Sequence, residues 1–503
     1  MTNSTYFRVL KNTFWNLWGG SSLIFLQIVI TPYIVHKLGT EIYGIWSLAW
    51  ILLSYFGFLE LGLGTACVKF ISEYYNKHDF SNCSKIYWTS LIITVIQGII
   101  GSIIIIGFAP LMVKKFFSIS SQLIPMTTLV IQLSAIGIIA SFLLGTAQAV
   151  SAALERFDWI NKITISKNIV QFLGIAIILY LGGSIIHMLL FSFLLQIMTL
   201  VIYYLLGLKL IPELNNQKLD KKAFRVLLKF GGWVTLSSIL APTLDNIEKL
   251  FIGSFLSVAF LTYYYVPFSL LSRLFLLSNS LSTALFPAFS EMSSREDHAT
   301  LQSIVLQATR ILSASVGFIS ILLIIFAKDF LTFWLGQEFA LHATTPMKIL
   351  CAAFWINIIA HIPFAFLRAH NKPHIPALCH LIELFLYLPI AYWLIKLFSL
   401  NGAALAWTFR VSIDTTLLII ATTYFLKFPI NKILKAIFNI GLLVPSILMI
   451  IIWCAQNLWG LSIWFVIINA FIFSILEILI IWHFILRTEE KQIIQTLFFQ
   501  FKR

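Results

Sequence analysis

Long apolar runs separated by short polar stretches recur along the whole chain. A helix that crosses a bilayer needs about 20 apolar residues, and on that measure the sequence predicts about fourteen transmembrane helices. The predicted spans lie near 14–36, 42–66, 86–110, 123–149, 163–181, 184–207, 227–255, 259–287, 301–326, 346–369, 376–398, 402–425, 437–456 and 460–485. We therefore expect an all-α polytopic membrane protein with little chain outside the bilayer.

The longest polar connection divides the first six predicted helices from the second six. We expect an N-lobe over 1–208, a cytoplasmic linker over 209–228, a C-lobe over 229–426, and two further helices with a cytoplasmic tail over 427–503. The string FRVL opens both lobes, at residues 7–10 and 224–227. Six-helix repeats keep their orientation, so the lobes are expected to be parallel repeats with the transport pathway at their interface.

Composition and charge agree with a membrane chain, since 59% of the residues are hydrophobic and only 11% are charged. The net charge of +14 does not indicate a nucleic-acid partner, because the basic residues are scattered through short loops instead of forming one soluble surface. With the N-terminus inside, 23 of the 34 lysines and arginines fall on the cytoplasmic side and five on the other. The positive-inside rule then predicts that both termini are cytoplasmic.

Charged residues inside predicted spans are costly and favour a partner or a wet cavity. In the seventh helix Asp245, Glu248 and Lys249 share one face, because they fall within an arc of about 100°. One interpretation is an acidic site for a coupling cation, H⁺ or Na⁺, beside a substrate-facing lysine. The alternative is an Asp245–Lys249 pair that neutralises itself so that the helix can insert.

Other charges in the spans are also candidates. Arg273 has no acid within one helical turn, so we expect it to meet another helix, water or an anionic ligand. Arg410 and Asp414 are four residues apart and can neutralise each other, whereas Arg310 lies near the cytoplasmic end and can reach the headgroups. Further acids that could pair with these cations across helices are Glu60 and Glu383.

The first predicted helix carries a polar seam of Asn12, Asn16 and Gln27, which fall on one side of the helix. This seam faces either a cavity or a neighbouring helix. The five cysteines lie far apart without a CxxC pair, so we expect neither a disulfide framework nor a metal site.

Catalytic signatures are missing from the sequence. It has no GxxxxGK[ST] phosphate loop and no DxD pair, and its longest loop is about twenty residues. We therefore expect neither an enzyme nor a cofactor. Two repeated lobes with charges among their helices favour secondary transport.

Several strings resemble the polysaccharide-export branch of the multidrug/oligosaccharidyl-lipid/polysaccharide exporter superfamily, the Wzx-type flippases. They are residues 38–46 (LGTEIYGIW), 61–64 (LGLG), Lys69, Asp245, 252–253 (IG) and 285–287 (LFP). The resemblance implies a flippase of the bacterial cytoplasmic (inner) membrane that moves an undecaprenyl-diphosphate-linked oligosaccharide, of O-antigen or capsule type, to the outer leaflet by ion-coupled alternating access.

The resemblance also implies partners and roles for the intramembrane charges. The candidate partners are the lipid-linked oligosaccharide, membrane lipid, and a glycan polymerase with other assembly proteins. The candidate diphosphate ligands are Lys249, Arg273, Arg310 and Arg410, and the candidate ion-coupling acids are Asp245, Glu248 and Glu60. Related flippases for cell-wall precursors carry basic residues in the first span where this chain has Asn12 and Asn16, so their cation pattern does not transfer directly.

Two other function classes stay open at this point. A cation-coupled multidrug exporter of the same superfamily would need acids in its cavity, and the spans contain as many acids as bases. The acids are Glu60, Asp245, Glu248, Glu383, Asp414 and Glu477. A non-transporting scaffold of a glycan-assembly complex would not need these charges at all.

Overall fold

The computed structural model describes residues 3–60, 62–217, 219–459, 463–486 and 491. The description covers the backbone but not the side chains of residues 3–23, 56, 58, 59, 228–242, 284, 287, 456, 457, 459 and 463–467. The described residues form helices joined by short connections, without a β-strand. This confirms the expected all-α architecture.

The described residues form fifteen α-helices, and six of them make up the first part of the chain. They are α1 (Asn3–Phe56), α2 (Leu63–Asn76), α3 (Phe80–Lys115), α4 (Ile124–Ala153), α5 (Phe157–Tyr180) and α6 (Ile185–Leu210). Nine more follow: α7 (Lys221–Phe255), α8 (Val258–Leu271), α9 (Phe275–Ser294), α10 (His298–Leu335), α11 (Gln337–Ala369), α12 (His374–Phe425), α13 (Ile430–Ile437), α14 (Ile440–Trp459) and α15 (Ile463–Ile480). A five-residue π-helix, Ile481–Ile485, continues α15.

Two of the helices contain a sharp break and therefore consist of two rods each. In α1 the break is at Gly39 (φ 78°, ψ 163°), a conformation that a glycine adopts at no steric cost. In α12 it is at Ser399 (φ 55°, ψ −131°). These breaks lie between the first and second predicted spans and between the eleventh and twelfth.

Nine helical segments of the described residues are long and apolar enough to cross a membrane, with α12 counted once. The pair α13 and α14, bent by 44°, makes a tenth. Each predicted span overlaps a helix. Several segments also carry large exposed apolar side chains along one face, such as Ile96, Ile100 and Ile103 of α3. Such a surface suits lipid and not water, and the polytopic membrane architecture is thereby confirmed.

The chain packs as two compact units. Unit 1 comprises Met1–Val266 with Leu388–Ala403, and unit 2 comprises Pro267–Tyr387 with Ala404–Arg503. The lobe boundaries expected from the sequence stay a prediction.

The core of unit 1 lies among α2, α3 and α4, where Cys67, Tyr87 and Val150 are buried. The start of the expected linker belongs to this core: Leu214 is buried, and its carbonyl oxygen accepts a hydrogen bond from Trp88 Nε1 at 2.7 Å. The connection between α6 and α7 is thus packed against α3 and not suspended in solvent.

The core of unit 2 lies among α10, α11 and the second half of α12, with Leu312, Phe366 and Leu418 at its centre. The short α13 is amphipathic, since Ile433 and Ile437 are buried while its two lysines are exposed. Ser313 of α10 donates a hydrogen bond to the carbonyl oxygen of Ile437 at 2.6 Å and attaches α13 to this core.

Candidate functional site: buried charges in the membrane helices

A buried ion pair lies in the last third of α7. Lys249 is 1% exposed and Glu248 is completely buried, and the ammonium is 2.9 Å from Glu248 Oε1. The ammonium also donates to the backbone carbonyl of Asp245 one turn earlier. The ion pair shown for this lysine is therefore with Glu248, while the sequence had suggested Asp245, whose side chain is exposed.

The region of α7 around this pair is attached to the second rod of α1. Asn246 Nδ2 donates to Ser54 Oγ at 3.1 Å, and the Tyr55 hydroxyl donates to the Thr243 carbonyl at 3.5 Å. These contacts hold Asp245, Glu248 and Lys249 in one part of unit 1. The three residues expected to share a helix face are thus close together, and two of them neutralise each other.

Glu60 lies at the junction of α1 and α2, in the 3₁₀ turn Gly57–Glu60. Its Oε1 accepts the backbone N–H of Gly64 at 3.1 Å, in the first turn of α2. A Cβ added at Gly64 would be 2.7 Å from this oxygen, and one added at Gly145 would be 3.0 Å from it. Gly64 of the 61–64 motif and Gly145 of α4 therefore make room for a carboxylate that stabilises a helix N-terminus.

A second set of buried charges joins the two halves of α12 in unit 2. Arg410 and Glu383 are both buried, and Arg410 Nη1 is 3.6 Å from Glu383 Oε2. The guanidinium also lies over the rings of Tyr387 and Trp407, at 5.9 and 5.7 Å from their centroids. Glu383 is thus the cross-helix partner of Arg410, a role for which the sequence offered it only as one of several acids.

Asp414 is directed to a histidine. Its Oδ1 is 4.0 Å from Nε2 of His380, and one ligand atom each from His380, Glu383 and Asp414 lie within 4.8 Å of one another. This is the group among the described residues whose donor atoms could surround a cation. Sequence reasoning missed it, although His380 and Glu383 are three residues apart and so share a helix face.

The two remaining candidate cations lie on the surface of unit 2. Arg273 is exposed in a 3₁₀ turn, Ser272–Leu274, that interrupts the eighth predicted span between α8 and α9. Arg310 is an exposed residue of α10, and its backbone carbonyl accepts a hydrogen bond from Asn439 Nδ2 at 3.2 Å. Neither guanidinium is enclosed by the protein in the way that Arg410 is.

The polar seam of the first helix is only partly visible. Gln27 is buried in α1, while Asn12 and Asn16 lie outside the residues whose side chains the structure describes. Unit 1 also contains a cavity of about 310 Å³ that is bordered by α1, α4, α5 and α6. Its polar lining includes Ser134, Lys167, Gln171 and Gln196.

The turn in α1 binds the connection between α7 and α8. Thr262 Oγ1 donates to the Thr40 carbonyl at 2.6 Å. Gly44 lies so close to α8 that an added Cβ would be 1.8 Å from the Val258 carbonyl oxygen. From the loop after α3, the Ser118 N–H donates to the Gly253 carbonyl at 2.9 Å. We call these contacts the clasp; it lies on the side predicted to be outside.

Residues 9–293, more than half of the chain, match the family described as polysaccharide biosynthesis protein. The chain belongs to this family. The clasp, the Glu60 junction and the charges of α7 all fall within the matched residues, whereas the α12 charges lie beyond them.

Two bacterial proteins are similar to this chain over most of their length. A protein of Shigella flexneri named "Putative O-antigen transporter" is 24% identical over 413 residues, which cover 82% of this chain and 96% of that protein. A Bacillus subtilis protein named "Uncharacterized membrane protein EpsK" is 21% identical and covers 71% of each chain.

Solved structures share the fold. The lipid II flippase MurJ in an inward closed conformation aligns with a TM-score of 0.68 and 14% identity, covering 95% of this chain and all of that one. An inward-facing multidrug transporter of the MATE family aligns with a TM-score of 0.65 and 12% identity, covering 84% and 99%. The family match confirms the expected relationship to polysaccharide-export proteins, and the solved structures show that the chain shares the fold of a lipid flippase and of a multidrug transporter.

Proposed function

We propose that this chain is a flippase that carries a lipid-linked oligosaccharide from the cytoplasmic to the outer leaflet of a bacterial cytoplasmic membrane. Family membership, the name of the Shigella flexneri relative and the full-length likeness to the fold of a lipid II flippase support this function. The observation that carries it in the structure is Arg273, an exposed arginine at a break in an apolar span. A charge within a membrane span is costly and commonly marks a polar pathway, and an exposed guanidinium there is accessible to an anionic group.

The chemistry of such a substrate fits the charges of the chain. A diphosphate needs cations, a hydrated sugar needs a wet path, and a polyprenyl tail can stay in the lipid. Exposed Arg273 and Arg310 can meet a diphosphate directly. Lys249 and Arg410 are held by Glu248 and Glu383, so they can bind the substrate only after those pairs open. We therefore assign first contact with the diphosphate to the two exposed arginines.

The finer features of the function belong to the same proposal. The substrate is an undecaprenyl-diphosphate-linked repeat unit of O-antigen or capsule type, and transport is by ion-coupled alternating access with both termini in the cytoplasm. Among the acids expected to take H⁺ or Na⁺, Asp245 is exposed, whereas Glu248 and Glu60 are engaged by Lys249 and by the N-terminus of α2. A glycan polymerase and other assembly proteins are the proposed protein partners.

The test is the leaflet location of lipid-linked oligosaccharide in cells that lack this protein and have no second flippase. Restored wild-type protein and Arg295→Ala, a variant of the solvent-exposed arginine paired with Glu291, should return the oligosaccharide to the outer leaflet. Arg273→Ala should leave it inside. An unchanged distribution without the protein would overturn the flippase function, and full activity of Arg273→Ala would overturn the role of this arginine.

A multidrug exporter is the second candidate, because the exposed carboxylate of Asp245 is a group that a cationic drug would contact. In that case cells expressing the protein would expel a cationic dye, and Asp245→Asn would abolish the efflux. A scaffold in a glycan-assembly complex would instead tolerate substitution of both Asp245 and Arg273.

A further inference from the structure

The cavity of unit 1 is built from matching faces of four helices. Its lining residues recur at intervals of three, four or seven, which places each set on one side of its helix. They include Trp50 and Leu53 of α1, Ser134, Gly137 and Ser141 of α4, Lys167 and Gln171 of α5, and Leu189, Phe193 and Gln196 of α6. Four helix faces therefore converge on one space, which is more than a local packing defect.

The polar side chains of this lining lie at the middle of apolar helices. Lys167 is the eleventh of the 24 residues of α5, and Gln196 is the twelfth of the 26 residues of α6. Both helices are long and apolar enough to cross a membrane. A lysine at that depth is costly and indicates a functional site by default.

These polar groups are not used by the surrounding protein. The Ser134 hydroxyl is buried without a hydrogen-bond partner among the described residues. No hydrogen bond or ion pair joins Lys167, Gln171 or Gln196 to another residue of the described chain. Buried polar groups need partners, so one ammonium, two amides and a hydroxyl are left to bind water or a polar ligand.

Size restricts what this ligand can be. A volume of about 310 Å³ is at the lower end of small-molecule sites, which span about 300–1,000 Å³. The cavity can therefore take one sugar ring, whereas an oligosaccharide or a polyprenyl chain is too large. Ile136 and Leu190 belong to the lining and are exposed, so the cavity is open to the surface of unit 1 and a ligand can enter.

Charge restricts the ligand further. Lys167 is the one charged residue in the described lining, and its ammonium balances one negative charge. A phosphate monoester carries about −1.5 to −2 at neutral pH and would leave an excess of negative charge. A cationic ligand would be repelled, and a neutral sugar would leave the ammonium desolvated and unpaired. A single carboxylate fits best.

The rest of the lining suits a sugar ring. The rings of Trp50 and Phe193 offer apolar surfaces against which the C–H face of a sugar can pack. Glutamine amides both donate and accept hydrogen bonds, as the hydroxyls of a sugar require. We propose that this cavity binds a sugar ring that carries one carboxylate, a hexuronate, with the carboxylate on Lys167. That the ring belongs to the transported glycan rests on the proposed flippase function.

The experiment is calorimetric titration of the purified full chain in phosphatidylcholine nanodiscs. The probes are glucuronate, glucose and glucose 1-phosphate, which share a ring and differ in charge. The first variant is Lys167→Gln. Its matched control is Lys162→Gln, which alters an exposed lysine of the same helix that lies 5.6 Å from the centre of the Trp159 ring.

A second variant tests the cavity by its volume. At Gly137 an added Cβ has only the Phe193 ring within 4 Å, at 3.9 Å, so Gly137→Leu puts its side chain into the cavity without a backbone clash. The matched control is Gly107→Leu in α3, where an added Cβ meets nothing within 4 Å.

Wild type and both controls should bind glucuronate more tightly than either other probe. Lys167→Gln should weaken glucuronate binding at least about 10-fold, the effect of losing a hydrogen bond to a charged group, and Gly137→Leu should abolish it. The melting temperature of Lys167→Gln should not fall, because the lysine has no partner in the described protein. A lysine with a structural role would lower it.

Several results would overturn the site. They are unchanged glucuronate binding in Lys167→Gln, a wild type that binds glucose or glucose 1-phosphate as tightly as glucuronate, and a wild type that binds none of the probes. Loss of glucuronate binding when the nanodiscs contain phosphatidylglycerol would identify a lipid headgroup as the occupant and would also overturn it.

Failure of the flippase function would look different, because binding is measured without transport. If the leaflet distribution is unchanged in cells without the protein, the proposed function fails, while glucuronate binding that depends on Lys167 still supports the site. If wild type moves the oligosaccharide but binds no glucuronate, only the hexuronate site fails.

Discussion

The clasp offers a direct test of how this fold closes on its predicted outer side. At Gly44 an added Cβ would be 1.8 Å from the Val258 carbonyl oxygen and 2.6 Å from its carbonyl carbon. Ordinary van der Waals contact begins near 3.4 Å, and the obstructing atoms are backbone atoms that no rotamer change can move. Gly44→Ala must therefore push α1 and α8 apart.

The expected magnitude follows from the cost of overpacking, about 1–3 kcal/mol. Separation also lengthens the hydrogen bond from Thr262 to the Thr40 carbonyl, which contributes about 0.5–1.5 kcal/mol. Since about 1.4 kcal/mol changes an equilibrium tenfold, the clasp should open roughly 5- to 150-fold more often from the overpacking alone.

The assay is hydrogen exchange measured by mass spectrometry on the peptide that contains Ser118, whose amide donates to the Gly253 carbonyl across the clasp. Exchange of this peptide should accelerate in Gly44→Ala. The matched control is Gly107→Ala in α3, where an added Cβ meets nothing within 4 Å. Wild-type exchange and an unchanged melting temperature in Gly44→Ala would refute the proposed close contact.

Two further predictions concern buried and partly buried charge. Glu248→Gln removes the carboxylate beside the buried Lys249 ammonium and should cost about 3–5 kcal/mol of stability, so the melting temperature should fall. Adding Lys249→Met to this variant should restore most of the loss. Equal melting temperatures of the single and double variants would contradict this reasoning. Burial, with the charges of His298 and Lys372, lowers the pKa of His370. Its contribution to stability is therefore complete above about pH 6.5 and is lost as the pH falls through the lower folded pKa. Wild type should lose more thermal stability than His370→Gln between pH 7.5 and 5.5, and parallel losses would exclude this role.

The charges show where sequence reasoning succeeded and where it stopped. The close grouping of Asp245, Glu248 and Lys249 was predictable, because all three lie within about one turn of one helix. The partner of Lys249 was not, since a long flexible side chain can reach several acids within one turn. Asp414 was a reasonable partner for Arg410 by spacing alone, yet the structure pairs Arg410 with Glu383 from the other half of α12.

The sequence motifs also show what could be predicted from the sequence and what depended on tertiary contacts. Residues 38–46 and 61–64 were recognisable as strings typical of a transporter family, but their spacing did not explain the glycines. In the structure Gly44 allows α1 to contact the Val258 carbonyl, and Gly64 allows the Glu60 carboxylate to approach α2. The contact at Gly44 joins segments that are distant in sequence. The contact at Gly64 depends on a side chain that folds back over the start of α2.

The sequence by itself determined the membrane class, the approximate helix positions and the family, because hydropathy and short motifs are local properties of the chain. The tertiary structure decided which charges neutralise each other, which arginines remain exposed, and that His380 and Asp414 face each other at 4.0 Å. Those features depend on distances between helices. Such distances are set by packing over the whole unit, and no local pattern along the chain encodes them.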